Sequence, residues 1–399
     1  MELRVGRSTW PVNIPAERLV ELRRAPIPPV PPESPRELVR AALEAPFGFE
    51  PMRRAVAPGD AVTIVLDTEL PHAADLLAGV LDHLGTAGVP PGAVTILTAP
   101  GANQGWRDDL PPEFNGVKAE VHDPADPKRV AYLATTKAGR RVYLNRTLVE
   151  ADFTVLLAGR GYDPLLDYGG AETAVFPQLS NAETRTELAD QFTTDVPTPA
   201  PSDFRAEAIE VARLLGTPFL VQVINGEGDA IQEVIAGLLD SAAEGVRRQD
   251  ARWRATVPEE VETVVATISG GPDRVTFLDL AKAAVCAARV VQSEGRIVVL
   301  SEGAPVLGDG ANLLRTLDGP RGARRQLGRL KPDDWAAAYL WCFPAQAASL
   351  FLATGLPDET AEELFATPVH DAAEVQRLIN MGGRVVVIPD AHRTVVTIE

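Results

Sequence analysis

The chain has 399 residues, 45% of them hydrophobic, and a formal net charge of −17. Its length exceeds what one ordinary hydrophobic core serves, so two domains are expected, and the acidic balance argues against a nucleic-acid partner, which needs concentrated basic patches. Only Cys286 and Cys342 occur, each in an apolar run of helical character; buried free thiols in a reducing cytoplasm fit that usage, and a disulfide scaffold does not. No apolar run approaches the ~20 residues that span a bilayer, and MELRVGRSTWPVNIP lacks the apolar core of a signal peptide. The expectation is a soluble cytoplasmic protein with no membrane partner.

Met1–Val5 and Thr9–Pro15 read as two extended pieces, followed by a proline-rich surface segment from Ala25 to Pro35. Ser34-Pro35 opens a helix whose apolar stripe is Leu38, Ala41, Ala42 and Ala45. Ala61–Leu66 is a buried strand entered from Pro58-Gly59-Asp60 and closed by Asp67–Pro71. Leu76, Leu77, Val80, Leu81 and Leu84 carry helical spacing, and Val94–Thr98 is the next strand. Strand, loop, helix and strand at this spacing form a βαβ unit, so a largely parallel sheet is expected.

Val117–Val121 and Arg141–Leu144 read as shorter strands, and Phe153–Ala158 as a strand covered on both faces. Ala182–Phe192 reads as helix, Thr193–Asp203 as a proline-broken linker, Ala206–Leu215 as helix and Pro218–Ile224 as strand. Asp229–Arg254 has helical periodicity through Ile231, Val234, Ile235, Leu238 and Leu239, and the domain boundary falls near Val257-Pro258. The alternation then restarts with strands at Thr263–Ser269, Arg296–Leu300 and Arg384–Pro389. Helices are expected at Phe277–Ser293, at Asp333–Leu352 with a break at Pro344, and at Asp371–Met381. Val395–Ile398 is a last extended piece that can return to the first domain. Residues 1–257 and 258–399 are thus expected to form two α/β domains with a cleft between them.

Ligands in open α/β sheets sit at the carboxyl ends of the strands. Three loops at such ends should converge: Asp67–His72, Gly101–Trp106 and Gly161–Glu172. They offer Asp67, Glu69, His72, Asn103, Asp163, Asp167 and Glu172. Clustered carboxylates there would shift one another's pKa values and serve as acid, base or cation ligand. The plainer alternative is that Asp67 and Asp163 cap turns and the rest are solvated. Asp279 and Lys282 share a helix face, which is an ordinary surface ion pair unless that face meets the cleft. Trp335 starts a helix; most such tryptophans pack locally, whereas one at a domain junction often lines a ligand cleft. No GxGxxG, GxxxxGK[ST] or GxSxG motif occurs, and neither the five histidines nor the two cysteines show metal-ligand spacing.

Six stretches resemble the lactate racemase family, whose members use a nickel-pincer nucleotide to racemise or epimerise 2-hydroxy acids. They are PGDAVTIVLDTELP (58–71), VTILTAPGANQG (94–105), TTKAGRRVYLNRTLVEADFTVLLAGRGYDP (135–164), GGAETAVFP (169–177), ISGGPDRVTFLDLAKAA (268–284) and LKPDDWAA (330–337). The resemblance implies two α/β domains around a substrate cleft. It also implies a list of functional residues, most of which this chain replaces. Leu70 stands where the family has a substrate-gripping arginine, Asn103 and Leu165 stand for its two catalytic histidines, and Asp279 for its glutamine. Gly169-Gly170 is followed by Ala171 and Glu172 rather than the cofactor lysine, and Leu188 or Ala189 occupies the place of the nickel histidine. Lys282 and Trp335 are kept. Asn103 cannot take a proton and Leu165 has no titratable group.

The expectation is a divergent member of that family without the nickel-pincer cofactor, whose cleft takes a small polar or carboxylate ligand. Asp67, His72, Asn103, Tyr168 and Trp335 are its candidate binding residues, and Asp163, Glu172 and Lys282 are the candidates for any remaining chemistry. The alternative is an active racemase or epimerase with altered catalytic residues or cofactor use.

Overall fold

The computed structural model describes residues 1–26, 28–165, 167–189 and 203–399. Two sheets organise it. The first contains β1 (Val62–Leu66), β2 (Val94–Thr98), β3 (Lys118–Val121), β4 (Phe153–Asp163), β5 (Asp167–Gly169), β6 (Phe219–Asn225) and β7 (Ile231–Gly237), in the order β7-β6-β4-β1-β2-β3 with β5 paired to β4. The second contains β8 (Val261–Thr267), β9 (Val291–Leu300), β10 (Ser349–Ala353), β11 (Thr367–Pro368) and β12 (Val385–Ile388), in the order β11-β10-β9-β8-β12. All pairings of the second sheet are parallel. In the first, only β7 on β6 and β5 on β4 are antiparallel. The fold is the two-domain, largely parallel α/β arrangement expected. Its central strands are largely apolar because helices cover both faces; all five residues of β1 are buried.

Each sheet reverses its strand order once. From β1, the strands β2 and β3 lie to one side and β4 and β6 to the other; from β8, the strands β9 to β11 lie to one side and β12 to the other. The crevice between strands at such a reversal, at their carboxyl ends, is the natural ligand position of an open α/β sheet.

Several local expectations change. Asp229–Arg254 is a strand and then a helix, not one helix. A turn after β6, with the Gly226 N–H donating to Ala230 O at 2.6 Å, folds β7 back onto β6, and helix α2 starts only at Ser241 (Ser241–Trp253). Spacings of three and four fit Ile231, Val234 and Ile235 to a helix, but β-branched residues beside a tight turn also fit an edge strand, and pairing decides. The helix Pro35–Glu44 has the expected start, with Ser34 and Glu37 forming a capping box, but it buries Val39 and Leu43 instead of Ala41 and Ala45. Its stripe is rotated by one residue. Asp333–Leu352 divides into a helix, Trp335–Ala347, and strand β10; the helix ends within a turn of Pro344. The expected linker Thr193–Asp203 lies outside the described residues, except that Asp203 opens the helix Asp203–Leu214.

The opening hairpin, Glu2–Val5 with Ser8–Pro11, packs Leu3 and Val5 against the second sheet. Arg23–Arg24, Arg254–Val257 and Val395–Ile398 form a separate three-stranded ribbon with Arg254–Val257 in the middle.

Beneath the first reversal lies a buried ion pair. The Arg160 Nη1–H and Nη2–H groups donate to Glu172 Oε1 and Oε2 at 2.7 and 2.8 Å. Both side chains have 0% exposure. Glu172 belongs to the short helix α1 (Ala171–Val175). The Arg160 Nε–H donates to Gln222 Oε1 of β6 at 3.1 Å, and Arg205 adds a contact to Glu172 at 3.3 Å. Burial opposes ionisation of Glu172, but the guanidinium beside it outweighs that and holds the carboxyl below the usual range. Two glycines make room. A Cβ on Gly170 would stand 2.2 Å from Arg160 Nη1, and one on Gly245 would stand 2.1 Å from Gln222 Oε1.

Removing one partner strands a buried charge. Arg160→Met should therefore destabilise the protein by about 3–5 kcal/mol in urea unfolding, and Gly170→Ala should destabilise it in the same direction. A loss below about 1 kcal/mol for Arg160→Met, the size of a surface pair, would mean the pair does not hold this region together.

Candidate functional site

The carboxyl ends of β1 and β4 meet those of β8 and β12 across a cavity of about 280 Å³. Asp67, the residue after β1, lines it from the first sheet. The Gly159 N–H donates to Asp67 Oδ2 at 3.1 Å and the Glu69 N–H to Oδ1 at 3.0 Å. Burial pushes the Asp67 carboxyl above its ordinary pKa, and the two N–H donors only partly offset that. Asp67 thus closes the turn, as its plainer reading had it, and also faces the cavity.

The opposite wall comes from the second domain. Helix α3 (Phe277–Ala288) starts in a capping box in which Asp279 accepts from the Thr276 N–H at 2.9 Å and from its hydroxyl at 2.8 Å. Asp279 and Lys282, on the same helix face, both line the cavity. The face therefore meets the cleft. Lys282 pairs not with Asp279 but with Asp163, at 3.6 Å, while Asp163 also accepts from the Leu165 N–H at 2.9 Å.

The arginines of the same cavity are mostly committed. The Arg274 Nη1–H donates to Leu70 O at 3.0 Å and Nη2–H to Glu69 O, and Nε lies 3.2 Å from Asp229. One guanidinium thereby ties the loop after β8 to the loop after β1. Arg393 Nη1 donates to the carbonyls of Gly226 and Gly228 at 2.7 and 2.6 Å. Asp390, at φ +46°, accepts from the Ser269 N–H at 2.9 Å and its hydroxyl at 2.7 Å. These bonds set the tip of β12 against the tip of β8 and bring His392 onto the wall.

Two further cavities continue the cleft. One of about 400 Å³ is bordered by Asp67, Asp163, Lys282, Gly101 and Gly170. The other, of about 250 Å³, is bordered by Asp163, Leu165, Lys331 and Trp335. Lys282 stands on the boundary of the first two and Asp163 on that of the last two.

Of the residues singled out from sequence, the structure brings Asp67, Asp163, Lys282 and Trp335 to the cleft. Four others lie elsewhere. Glu172 is sealed beneath it in the Arg160 pair. His72 is exposed at φ +56° ahead of the helix Ala73–Thr86. Asn103 is exposed and accepts from the Gly105 N–H at 2.8 Å, which folds its own loop. Tyr168 is buried, its hydroxyl bonded to Asp250 and accepting from Arg254 at 2.9 Å. The side chains of Leu188 and Ala189 lie outside the described residues. Among the described residues, no group of three or more His, Cys, Asp or Glu is arranged to hold a metal, and no helix is long and apolar enough to cross a membrane.

Sequence reading missed Asn225, Gln249 and His392, which line the first cavity from three segments far apart in the chain. The one available signal was position: Asn225 and His392 follow core strands at their carboxyl ends. His392 is hidden further by its charge state. Burial, then repulsion from Arg393, lowers its pKa to about 4 against the pull of Asp279 and Asp390.

Residues 5–188 match the family model of the lactate racemase N-terminal domain. No curated protein matches the chain. Among solved structures, the lactate racemase apoprotein of Thermoanaerobacterium thermosaccharolyticum is similar over 99% of both chains, with a TM-score of 0.83 and 18% identity. A protein from Thermotoga maritima is similar over 92% of this chain and 97% of its own, with a TM-score of 0.67 and 11% identity. At such identities the structural likenesses speak for the fold alone.

The lowered pKa of His392 has a signed consequence. The unfolded chain takes up a proton at the ordinary value of 6.5 and the folded chain only near 4, so this residue costs stability as pH falls through that window. His83 and His122, also lowered by burial, add losses of the same sign. His392→Asn should therefore lose less stability than the parent in thermal unfolding between pH 6.5 and 4. Parallel pH curves would mean that His392 is free to protonate in the folded state.

Proposed function

We propose, from the premise that the chain is lactate-racemase-like in its N-terminal sequence and in its fold, that it binds a small polar or carboxylate ligand in the cleft between its domains without the nickel-pincer nucleotide. The observation that carries this reading is Lys282. It stands on the boundary of two cavities, and its ion-pair partner, Asp163, is as far away as 3.6 Å. Arg160 and Arg274 spend their guanidinium groups on protein acceptors and Arg393 commits its Nη1, whereas Lys282 has donors to offer a ligand. Asp67 and Asp279 supply acceptors on either side of it for hydroxyl or amine groups.

The residues present do not fit the cofactor of the family. The Gly169-Gly170 turn leads into α1, where Ala171 and Glu172 are both fully buried and Glu172 is held by Arg160. No amine stands there to form a covalent attachment. The replacement of two catalytic histidines that the family resemblance implies points the same way, since a single base returns a proton to the face it left, and Asn103 and Leu165 accept none. No step through the nucleotide is therefore assigned.

Two measurements test this. After co-expression with a cofactor-assembly system, intact mass and metal analysis should give bare polypeptide and no stoichiometric nickel. A mass increase matching the nucleotide, with about one nickel per chain, would overturn the reading in favour of a racemase or epimerase with altered residues. In ligand screening, a carboxylate hit should stabilise the fold by mass action. Lys282→Met should weaken it about tenfold or more, the scale of a lost hydrogen bond to a charged group.

A further inference from the structure

One part of the cavity wall is unused by the protein itself. Three side chains from separate segments line it, and each carries a buried polar atom with no hydrogen-bond partner among the described residues: Asn225 Oδ1 at the end of β6, Gln249 Oε1 in α2, and His392 Nδ1 after β12. Gln249 is only 2% exposed. Buried polar atoms are almost always paired, and leaving one unpaired is destabilising. Three on one cavity of about 280 Å³ are therefore a built feature that points to a ligand.

Their chemistry limits what that ligand is. Turning either amide exchanges its oxygen for its NH2, so each presents a donor or an acceptor at will. His392, neutral above its lowered pKa of about 4, likewise offers one donor and one acceptor nitrogen. The natural complement is the hydroxyl group, which also donates and accepts. A free anion suits this space less well than a hydroxyl: Arg274 and Arg393 donate to backbone carbonyls and Asp229 and Asp279 border it, which leaves Lys282 as the main cationic contact. The volume falls at the small end of ligand pockets.

We infer that this subsite takes a small polyhydroxylated molecule, a polyol or monosaccharide, whose hydroxyls pair with Asn225, Gln249 and His392. The inference rests on the cleft being a ligand site and names the class of ligand that enters it.

The test uses the full chain with xylitol and D-glucose as neutral probes and succinate as a hydroxyl-free anion. Binding is read by isothermal titration and ligand-observed NMR, because polyols stabilise proteins without binding and would mislead a thermal shift. Saturable binding of at least one neutral probe is expected, weakened about tenfold in Gln249→Leu. His392→Leu should act in the same direction, which guards against a folding defect in the first variant; unfolding curves without ligand are recorded for both. Neutral binding unchanged in both folded variants overturns the inference. Binding of succinate alone, lost in Lys282→Met but kept in Gln249→Leu, overturns it while leaving the cleft reading intact. Failure of all three probes overturns this ligand class, and the wider ligand screen then decides the cleft reading separately.

Discussion

The cleft depends on a charge pair that never meets water. Moving a guanidinium and a carboxylate out of solvent costs several kcal/mol each, and their attraction offsets this only in good geometry with the remaining groups satisfied. Arg160 and Glu172 meet both conditions: the pair is two-pronged, and Gln222, Gly169 O and Arg205 take up the remaining valences. The end of β4, helix α1 and strand β6 are thereby fixed to one another immediately behind the segment Gly159–Tyr162. The cavity wall keeps its shape because what lies behind it cannot rearrange without stranding an ion.

On that base the two order reversals meet. Each sheet alone would present only an open crevice. Arg274 closes the distance by reaching from the loop after β8 to carbonyls after β1, and Asp390 with Arg393 arranges the tip of β12. Much of the charge around the cleft is therefore structural. This explains how a site bordered by four carboxylates and four cations leaves so few charged groups for a ligand.

The strands were legible because burial on both faces leaves uninterrupted apolar runs, and the position of the site followed from their carboxyl ends. Asp67 and Asp163 were found that way, and Lys282 through its helix face and the family resemblance. Glu172 and Tyr168 were misplaced for a common reason: a polar residue in a glycine-rich loop looks solvent-facing until its partner is known, and Arg160 and Asp250 are remote in spacing or buried in a strand. Asn103 and His72 failed differently, since a loop end and a helix end carry no sign of which way they turn. β7 was read as helix because a three-residue apolar spacing does not separate an edge strand from a helix turn. Gln249 was invisible, and His392 was marked only by its place after a core strand, because only tertiary folding brings residues of such separation to one wall.

The ribbon of Arg23–Arg24, Arg254–Val257 and Val395–Ile398 has a bearing on how the molecule comes apart. Both passages of the chain between the two sheets run through it, and the final strand pairs with the central one from the far side. Separating the two sheets would pull on this shared ladder, so the ribbon couples opening of one half to the other.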